Sequence, residues 1–540
     1  MKLLWISDFF LKDNVHGGAE LVDDIVIRHI SKSHDLTLIN SHEVKEEVLD
    51  KFDKIIVSNF VNLSASTKSN IQDRSYIIFE HDHKYLINRD PSAFRYHQAP
   101  PRYIVNKEFY KNAEVILCQS RGHSLCLKKN LYIDNVVNLG ASMWTEQQYN
   151  VLESLSSTDK NDLCAVMDSP NPVKNTNLAV RYCQKNNISY DLIPGSSWEL
   201  FVKKLSKYKK LVFFPNVYES HCRLVVEARM MNLELITNNN IGATSEPWFA
   251  ELKGRELISH MRSAKEKSLK KFEEVIVQKN NHPAIEKPLV SIITSMFKGE
   301  SHVENFLENI VNQTYFKNCE LILLNANSPE NEDEIVKPYL EKYENIYYER
   351  LKDDPGIYGT WNLALQKSSG KYITNANLDD RRSLNQIEEL VKALEFNPQH
   401  SLAYTECYVT EKDGEDFYTN SSNNTVYPAA DFSRENMIKC LPGCMPLWKR
   451  EIHEKYGMFN ENYKMAGDWE MWLRAVKNGC TFIRIDEPLG LYYFNPNGLS
   501  TNTESSRAKE RYEEEKDVFW RYVEVFGKDN AELYREYFSR

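Results

Sequence analysis

The sequence predicts an α/β protein in which two Rossmann-like lobes are followed by a further α/β domain with a mixed sheet. Short apolar strands alternate with helical segments in three successive sets, and such alternation is typical of sheets covered by helices on both faces. At 540 residues, the chain is also too long for a single hydrophobic core. Several domains are therefore expected.

The first two sets of strands occupy residues 1–150 and 151–280. A helix from Leu21 to Ile30 follows the first strand after a loop that contains Gly17 and Gly18. These two glycines lack the G-x-G-x-x-G spacing of a dinucleotide-binding loop, which disfavours a dehydrogenase. The predicted strands are Leu3–Ser7, Leu36–Ile39, Lys54–Val57, Tyr76–Phe79, Val115–Cys118, Leu163–Met167, Ser189–Ile193, Lys210–Phe214 and Glu234–Thr237.

The third domain is predicted at residues 287–504, after a long charged helix (252–279) and a linker (280–288) that is recognisable by composition. Its first elements are strands Val290–Ser295 and Glu320–Ser328 with helix Val303–Gln313 between them. Residues 505–540 are predicted as a charged helical segment that docks on a domain or on a second subunit. The sequence therefore leaves open whether the protein forms a homo-oligomer. The apolar side of this segment comprises Phe519, Trp520, Tyr522, Val523 and Phe526.

Composition excludes several classes of protein. The net charge of −10 disfavours a general nucleic-acid binder, which needs a basic surface. The ten cysteines are scattered, without zinc spacing or a disulfide framework, so a reducing compartment is expected. No apolar stretch reaches the ~18 residues of a membrane span. We expect a cytoplasmic protein, with the basic run at 265–271 as a solvated face; peripheral contact with the inner face of the membrane stays open.

Two adjacent carboxylates, Asp379 and Asp380, follow a buried strand predicted at Gly370–Thr374. Open α/β sheets bind ligands at the carboxyl ends of their strands, and paired carboxylates suit a hard divalent cation that also holds phosphate oxygens. The alternative is an acidic helix N-terminus, because a helix is predicted from Ser383 to Phe396. The pair by itself leaves both interpretations open.

The ordered motifs from about Pro288 to Ser500 resemble the family-two glycosyltransferases, which are inverting enzymes of the GT-A fold. The resemblance implies a nucleotide-sugar donor and a divalent cation, Mn²⁺ or Mg²⁺. It places Asp379 as the first metal ligand, Asp380 as the second, and Asn377 at the sugar or ribose hydroxyls. The motifs are Asp354–Tyr358 with Trp361 and Asn362, Asn377–Asp380, Cys444–Trp448 with His453–Gly457, and Gly467–Arg474.

The same resemblance implies the contacts to the nucleotide. Thr294, Ser295, Asn325 and Asn327 match the ends of the uridine-binding strands, and Asn362 is assigned to the donor site as well. A UDP-sugar is therefore expected. An acidic residue is common at the position of Asn325, which leaves the identity of the base open.

Asp468 is the predicted general base. A glycine turn presents it beside Trp469 and Trp472, which could desolvate the carboxylate and raise its pKa toward neutrality. A helix N-cap is the structural alternative for Asp468, because the residues up to Val476 are predicted as helix. Glu470, two positions later, is the competing base.

Residues 1–250 resemble the family-four glycosyltransferases of the two-lobed GT-B fold. The resemblance implies donor or acceptor contacts at Gly17 and Gly18, a diphosphate contact at Lys174, the ribose at Glu227 and the donor sugar at Glu219. His81 is the candidate active-site histidine, with His83 and a plain surface loop as alternatives. The lysine and both glutamates favour retained donor binding. An arginine usual before the lysine is missing from Ser169–Val173, which would weaken stabilisation of the leaving diphosphate.

These observations together predict a glycosyltransferase with metal-dependent, inverting transfer in its C-terminal half. The acceptor is expected to be a glycan or a lipid-linked glycan of cell-surface polysaccharide, lipopolysaccharide or capsule assembly. For the N-terminal half, two alternatives stay open. It is either a second, retaining active site or a non-catalytic module that binds a glycan or a partner.

Overall fold

The structure, a computed structural model, describes residues 1–13, 17–277, 289–427, 429–496, 498, 501, 506–527, 532 and 535. The chain forms two compact units, Met1–Ile285 and Glu286–Arg540. The predicted linker at 280–288 lies outside the described residues, as does much of the segment after residue 527. Each unit is an α/β structure, as the sequence predicts.

The first lobe of unit 1 is a six-stranded parallel sheet with the order β2-β1-β3-β4-β5-β6. All five predicted strands are confirmed, and a sixth strand of only three residues was missed. The strands are β1 (Lys2–Ser7), β2 (Asp35–Asn40), β3 (Lys54–Val57), β4 (Tyr76–Glu80), β5 (Val115–Cys118) and β6 (Val136–Asn138), and the helices are α1 (Gly18–Ile30), α2 (Glu46–Leu49), α3 (Ala65–Gln72), α4 (Lys107–Lys111) and α5 (Arg121–Leu131).

The second lobe has a four-stranded parallel sheet with the order β10-β9-β7-β8, and all four of its strands were predicted. Its elements are α6 (Glu146–Leu155), β7 (Asn161–Asp168), α7 (Thr176–Lys185), β8 (Tyr190–Pro194), α8 (Trp198–Leu205), β9 (Tyr208–Phe213), α9 (Arg223–Met230), β10 (Glu234–Thr237), α10 (Pro247–Glu251) and α11 (Gly254–Val277).

Helix α11 joins the two lobes. Leu257 and Met261, near its start, are buried in the core of the second lobe, whereas Phe272 and Ile276, near its end, are buried in the first. Two lysines of its basic run form ion pairs, Lys265 with Glu146 and Lys271 with Glu274. No helix among the described residues is both long and apolar enough to cross a bilayer.

Unit 2 is built on one mixed sheet of nine strands with the order β13-β12-β11-β14-β18-β16-β19-β15, and β17 pairs with β16. Strands β11 to β14 are mutually parallel, and β18 runs antiparallel to β14. The strands are β11 (Val290–Met296), β12 (Cys319–Asn325), β13 (Ile346–Arg350), β14 (Tyr372–Asn375), β15 (Arg381–Arg382), β16 (Leu402–Thr410), β17 (Val426–Tyr427), β18 (Leu447–Lys449) and β19 (Phe482–Tyr493).

The helices of unit 2 cover this sheet. They are α12 (Val303–Val311), α13 (Glu332–Lys342), α14 (Gly356–Lys367), α15 (Gln386–Phe396), α16 (Glu451–Tyr456), α17 (Gly467–Lys477) and α18 (Ser506–Arg521). The core contains the apolar side of α17 together with the buried Val518 and Phe519 of α18. The predicted apolar side of α18 is thus docked within its own unit, except for Trp520, which is 39% exposed.

Two local predictions in unit 2 were wrong. The second strand ends at Asn325, not at Ser328, because the Asn325 side chain accepts from the backbone of Ser328 and turns the chain. Helix α15 begins at Gln386, since Arg381 and Arg382 pair with β19 as a short strand. The two carboxylates before Arg381 therefore do not lie at a helix N-terminus.

Candidate active site

Asp379 and Asp380 follow β14 at the carboxyl end of the parallel part of the sheet. The Asp380 side chain is buried, and it accepts hydrogen bonds from Asn377 Nδ2 (3.0 Å) and from the backbone N–H of Tyr493 (3.2 Å). Asp379 is half-buried. Of the two carboxylates, Asp379 is the more accessible to a ligand.

Burial raises the pKa of both carboxyls, and the neighbouring Asp379 charge adds to the effect that raises the pKa of Asp380 to about 8. Two like charges at a partly desolvated position disfavour each other, and a divalent cation removes that penalty. No group of three or more His, Cys, Asp or Glu side chains in the described ranges surrounds a cation position. The pair therefore fits a cation whose remaining ligands come from water or phosphate oxygens.

The turn that carries the carboxylates is held by Arg382, which sequence analysis missed. Its buried guanidinium donates from Nη2 to the Asn375 carbonyl (2.5 Å) and to Thr374 Oγ1 (3.0 Å). Burial lowers the pKa of Arg382 to about 10. Arg382 thus fixes the end of β14 from inside the core, four residues before Asp379, and nothing in the local sequence distinguishes it from a surface arginine.

The predicted nucleotide contacts lie at the neighbouring strand ends. Thr294 is fully buried near the end of β11, and its Oγ1 has no hydrogen-bond partner within the described part of the chain. Ser295 is half-buried, and Asn327 is exposed with a φ of 58°. Asn325 donates from Nδ2 to Asp333 and to the Tyr348 hydroxyl (3.2 Å each). Thr294 thus leaves a buried hydroxyl unsatisfied, whereas the Asn325 amide is already engaged.

Asn362 has a different environment. Its side chain accepts from the Phe459 N–H (3.0 Å) and donates to the Phe459 carbonyl (2.9 Å) and to Glu461 Oε1 (2.8 Å). These bonds tie α14 to the loop after α16. Asn362 supports the site through this loop, and its amide is already engaged.

Asp468 lies at the start of α17, where Ala466 is the N-cap residue, so the N-cap alternative was wrong. Its Oδ1 accepts from the Tyr358 hydroxyl (3.1 Å) and from the Trp469 N–H (2.8 Å), and its Oδ2 accepts from the Cys440 thiol (3.6 Å). Burial raises the pKa of Asp468, which is the direction that the proposed role as a general base requires. Tyr358 belongs to a motif singled out in the sequence, but its contact with Asp468 was not predicted.

Glu470, the competing base, has different contacts from Asp468. It is 3% exposed, is paired with Arg474 (2.9 Å), and accepts a hydrogen bond from the Tyr522 hydroxyl. Because both of its carboxylate oxygens have protein partners inside the core, Glu470 fastens α17 to the segment after α18. Among the residues that the structure describes, Glu470 has no hydrogen bond with Tyr358 or Cys440, the two side chains that donate to Asp468.

One loop connects the two carboxylate sites. Cys440 contacts Asp468, and the Cys444 carbonyl accepts from Asn375 Nδ2 (2.9 Å) at the end of β14. The charge of Asp380 also contributes to raising the pKa of Cys444. The proposed base and the carboxylate pair therefore border the same short loop from different elements.

In unit 1, the candidate histidine is buried. His81 Nε2 contacts Asp23 Oδ1 (2.6 Å), and its Nδ1 contacts Gln119 Nε2 (2.7 Å). His83 is also fully buried, and burial lowers its pKa to about 4. The surface-loop alternative was therefore wrong. Gly17 precedes α1, where a side chain would meet the Glu20 carboxylate, and Gly18 is the first residue of that helix.

The charged candidates of the second lobe are bound to one another or to tryptophans. Lys174 Nζ pairs with Glu219 Oε1 (2.7 Å). Glu227 is 4% exposed, and its Oε1 accepts from the indole N–H groups of Trp144 (2.8 Å) and Trp198 (3.0 Å). One oxygen of the proposed ribose-binding carboxylate thus already accepts from two indole groups, which sequence reasoning did not foresee.

Parts of the chain are similar to known glycosyltransferases. Residues 291–457 match the family model Glycosyl transferase family 2. The glycosyltransferase TuaG of Bacillus subtilis, named for teichuronic acid biosynthesis, is 25% identical over 221 residues, which cover 40% of this chain and 83% of that protein. An uncharacterized glycosyltransferase of Rickettsia prowazekii is 26% identical over 36% of this chain and 60% of its own length.

Among solved structures, the mannosyltransferase PcManGT from Pyrobaculum calidifontis, in complex with GDP-Man and Mn²⁺, is similar with a TM-score of 0.36 and 17% identity, over 46% of this chain and 70% of that one. The sequence matches define the class of the protein. The chain is a glycosyltransferase, which confirms the prediction of an enzyme of this class. Its C-terminal region carries a family-two glycosyltransferase domain.

Proposed function

We propose that the C-terminal unit transfers a sugar from a nucleotide-sugar donor, expected to be a UDP-sugar, with inversion at the anomeric carbon. The observation that supports this most directly is the carboxylate pair at the end of β14, with Asp379 half-buried and Asp380 buried, separate from the hydrogen-bonded Asp468 on α17. We assign residues 287–504 to this domain, 1–150 and 151–280 to two GT-B-like lobes, and 505–540 to a helical segment.

The proposed mechanism gives the two sites different tasks. When bound by Asp379 and Asp380, Mn²⁺ or Mg²⁺ would supply positive charge that stabilises the leaving diphosphate. Thr294, with an unpaired buried hydroxyl, and the neighbouring Ser295, Asn325 and Asn327 would bind the nucleotide. Asn377 holds Asp380 by a 3.0 Å hydrogen bond and so orients the pair.

Asp468 would remove the proton from the acceptor hydroxyl. Inverting displacement requires the nucleophile to approach opposite the leaving group, so the base must lie on a different element from the diphosphate site. The hydrogen bonds from Tyr358 and Cys440 fix the carboxylate, while burial raises its affinity for a proton. The acceptor is proposed to be a glycan or lipid-linked glycan of cell-surface polysaccharide, lipopolysaccharide or capsule assembly, reached from the cytoplasm at the inner face of the membrane.

The donor can be identified by thermal unfolding with and without Mn²⁺. UDP-glucose, UDP-N-acetylglucosamine and GDP-mannose are suitable probes. A ligand at 100 times its Kd adds about 2.7 kcal/mol to the free energy of unfolding, so specific binding raises Tm. Stabilisation that depends on Mn²⁺ and is lost in Asp379→Ala is expected. Equal stabilisation of the variant would contradict the assignment of the donor site.

For the N-terminal unit, we propose the non-catalytic alternative, in which it binds a glycan or a partner. The indole bonds to Glu227 support this choice over a second, retaining site, because Oε1 of this carboxylate already accepts from two tryptophans. The ion pair with Glu219 likewise neutralises the positive charge of Lys174 that would otherwise bind a diphosphate. Titration of residues 1–280 with the three nucleotide sugars should therefore show no binding.

A further inference from the structure

Helix α18 makes an unusual contact with the loop that leads to Asp468. The Glu514 carboxylate accepts three consecutive backbone N–H groups: Oε1 accepts from Lys464 (2.8 Å), and Oε2 accepts from Met465 (2.8 Å) and Ala466 (3.0 Å). Ala466 is the N-cap residue of α17 and has no side-chain oxygen with which to cap the helix. A carboxylate from another helix therefore occupies the place where the dipole of α17 favours negative charge.

The contact is local to the proposed base, because Asp468 is the second residue after Ala466. The same helix is anchored on the other side of this loop, where the Tyr463 hydroxyl donates to Asp517. Beyond Asp468, the rings of Trp469 and Phe526 stack at 6.3 Å. The backbone on both sides of Asp468 is thus held by residues that follow position 505.

We propose that Glu514 is a positioning residue for Asp468, an inference that rests on the proposed role of Asp468 as the base. By binding the N–H groups of residues 464–466, Glu514 keeps the Asp468 carboxylate in contact with Tyr358 and Cys440. In the proposed mechanism, no side chain of α18 takes part in the sugar transfer. A displacement of about 1 Å at a reacting group can cost about 100-fold in rate, so a distant carboxylate that sets the backbone can control turnover.

A first experiment needs no substrate, since Cys440 reports on the position of Asp468. The pKa of the Cys440 thiol is raised by burial and by the Asp468 charge. The rate of alkylation of Cys440 by iodoacetamide can be followed by peptide mass spectrometry in the full chain. We expect Asp468→Asn to accelerate it and Glu514→Ala to accelerate it at least threefold.

Two controls separate positioning from general loosening. Glu510→Gln removes only the Glu510 ion pair with the Lys464 side chain and should leave the Cys440 rate at the wild-type value. Cys480, which follows the C-terminal end of α17, is an internal reference whose alkylation rate should stay unchanged in Glu514→Ala. Equal acceleration at Cys440 and Cys480 would overturn the inference, because it would mean that the whole helix has loosened.

A second experiment measures turnover of whichever probe sugar nucleotide stabilises the chain with Mn²⁺. Glu514→Ala should lower kcat about tenfold or more while the donor KM stays within twofold. Glu514→Gln keeps one acceptor oxygen and the same shape, so it should retain more turnover than the alanine variant. If Glu514→Ala does not fold, the same measurements are made on Glu514→Gln. If Asp468→Asn loses turnover but both Glu514 variants match the wild type in kcat and thiol reactivity, the Glu514 inference is wrong. If Asp468→Asn keeps turnover, the assignment of the base fails instead, and the alkylation rates alone decide whether Glu514 positions Asp468.

Discussion

The Tyr358 hydroxyl donates to Asp468 Oδ1 across 3.1 Å, joining α14 to α17 between residues 110 positions apart. This hydrogen bond favours the charged carboxylate, whereas burial, the larger effect, disfavours it and raises the pKa of Asp468. The proton affinity of the proposed base is therefore set by burial on one side and, on the other, by hydrogen bonds from the adjacent Trp469 N–H and from the distant side chains of Tyr358 and Cys440.

Tyr358→Phe should move the acidic limb of the pH profile of kcat/KM to higher pH. Removing the donor destabilises the ionised carboxylate and raises the pKa of Asp468 further. A base works when deprotonated, so activity is lost as the pH falls through that pKa, and the loss then begins at a higher pH. A hydrogen bond to a charged group contributes about 1.5 kcal/mol or more, which corresponds to a shift of about 1 pH unit.

The matched control for this prediction is Tyr456→Phe, because the Tyr456 hydroxyl contacts the Asn478 carbonyl (3.5 Å) and Cys480 near the surface and not Asp468. Its pH profile should coincide with that of the wild type. A limb that moves to lower pH in Tyr358→Phe would show that the tyrosine does not stabilise the charged form of the base.

Asp468→Asn should lower kcat by about 100-fold or more, the usual contribution of general-base catalysis, and should spare donor affinity. Glu470→Gln should instead lower the free energy of unfolding, because it weakens the buried contacts with Arg474 and Tyr522. Steady-state kinetics and urea unfolding of both variants distinguish these effects. Near-normal turnover of Asp468→Asn together with inactive but stable Glu470→Gln would place the base at position 470.

Asp379→Ala should abolish metal-dependent activity while the fold survives, because a half-buried carboxylate is removed without disturbing the bonds of Asp380 and Arg382. Calorimetric titration of Mn²⁺ in the presence of UDP provides the measurement, and Asp353→Ala, at an exposed acid of the same unit, is the control. Full activity of Asp379→Ala in excess chelator would contradict the assignment of Asp379 as a metal ligand.

Glu227→Ala should destabilise the N-terminal unit without changing nucleotide binding. The buried Trp144 indole N–H and the half-buried Trp198 indole N–H lose their acceptor, and a buried unsatisfied group costs about 1–3 kcal/mol. Urea unfolding of residues 1–280 measures the loss, and Glu199→Ala, an exposed glutamate beside Trp198, should have little effect. Binding of a nucleotide sugar to the wild type that disappears in Glu227→Ala would favour the second active site over the proposed scaffold.

Local patterns in the sequence were sufficient to predict most of the architecture. Alternation of apolar residues and turn residues is a property of neighbouring positions, so the parallel strands of unit 1 and the strand before Asp379 could be assigned within a few residues. The same locality explains the errors. Arg381 and Arg382 form a strand only because β19 pairs with them, whereas the helix predicted from Ser383 had left a helix N-terminus as the alternative for Asp379 and Asp380.

By itself, the sequence determined the α/β class, the place of the carboxylate pair after a buried strand and the glycosyltransferase resemblance of the C-terminal region. Only the tertiary structure decided which partners the charged side chains have. Glu227 meets two tryptophans, Glu470 meets Tyr522, and Glu514 holds the loop before Asp468. Such contacts join residues far apart in the chain, so no periodic pattern in the sequence predicts them. A charged side chain in the protein is stabilised by the donors that helix packing brings within hydrogen-bonding distance.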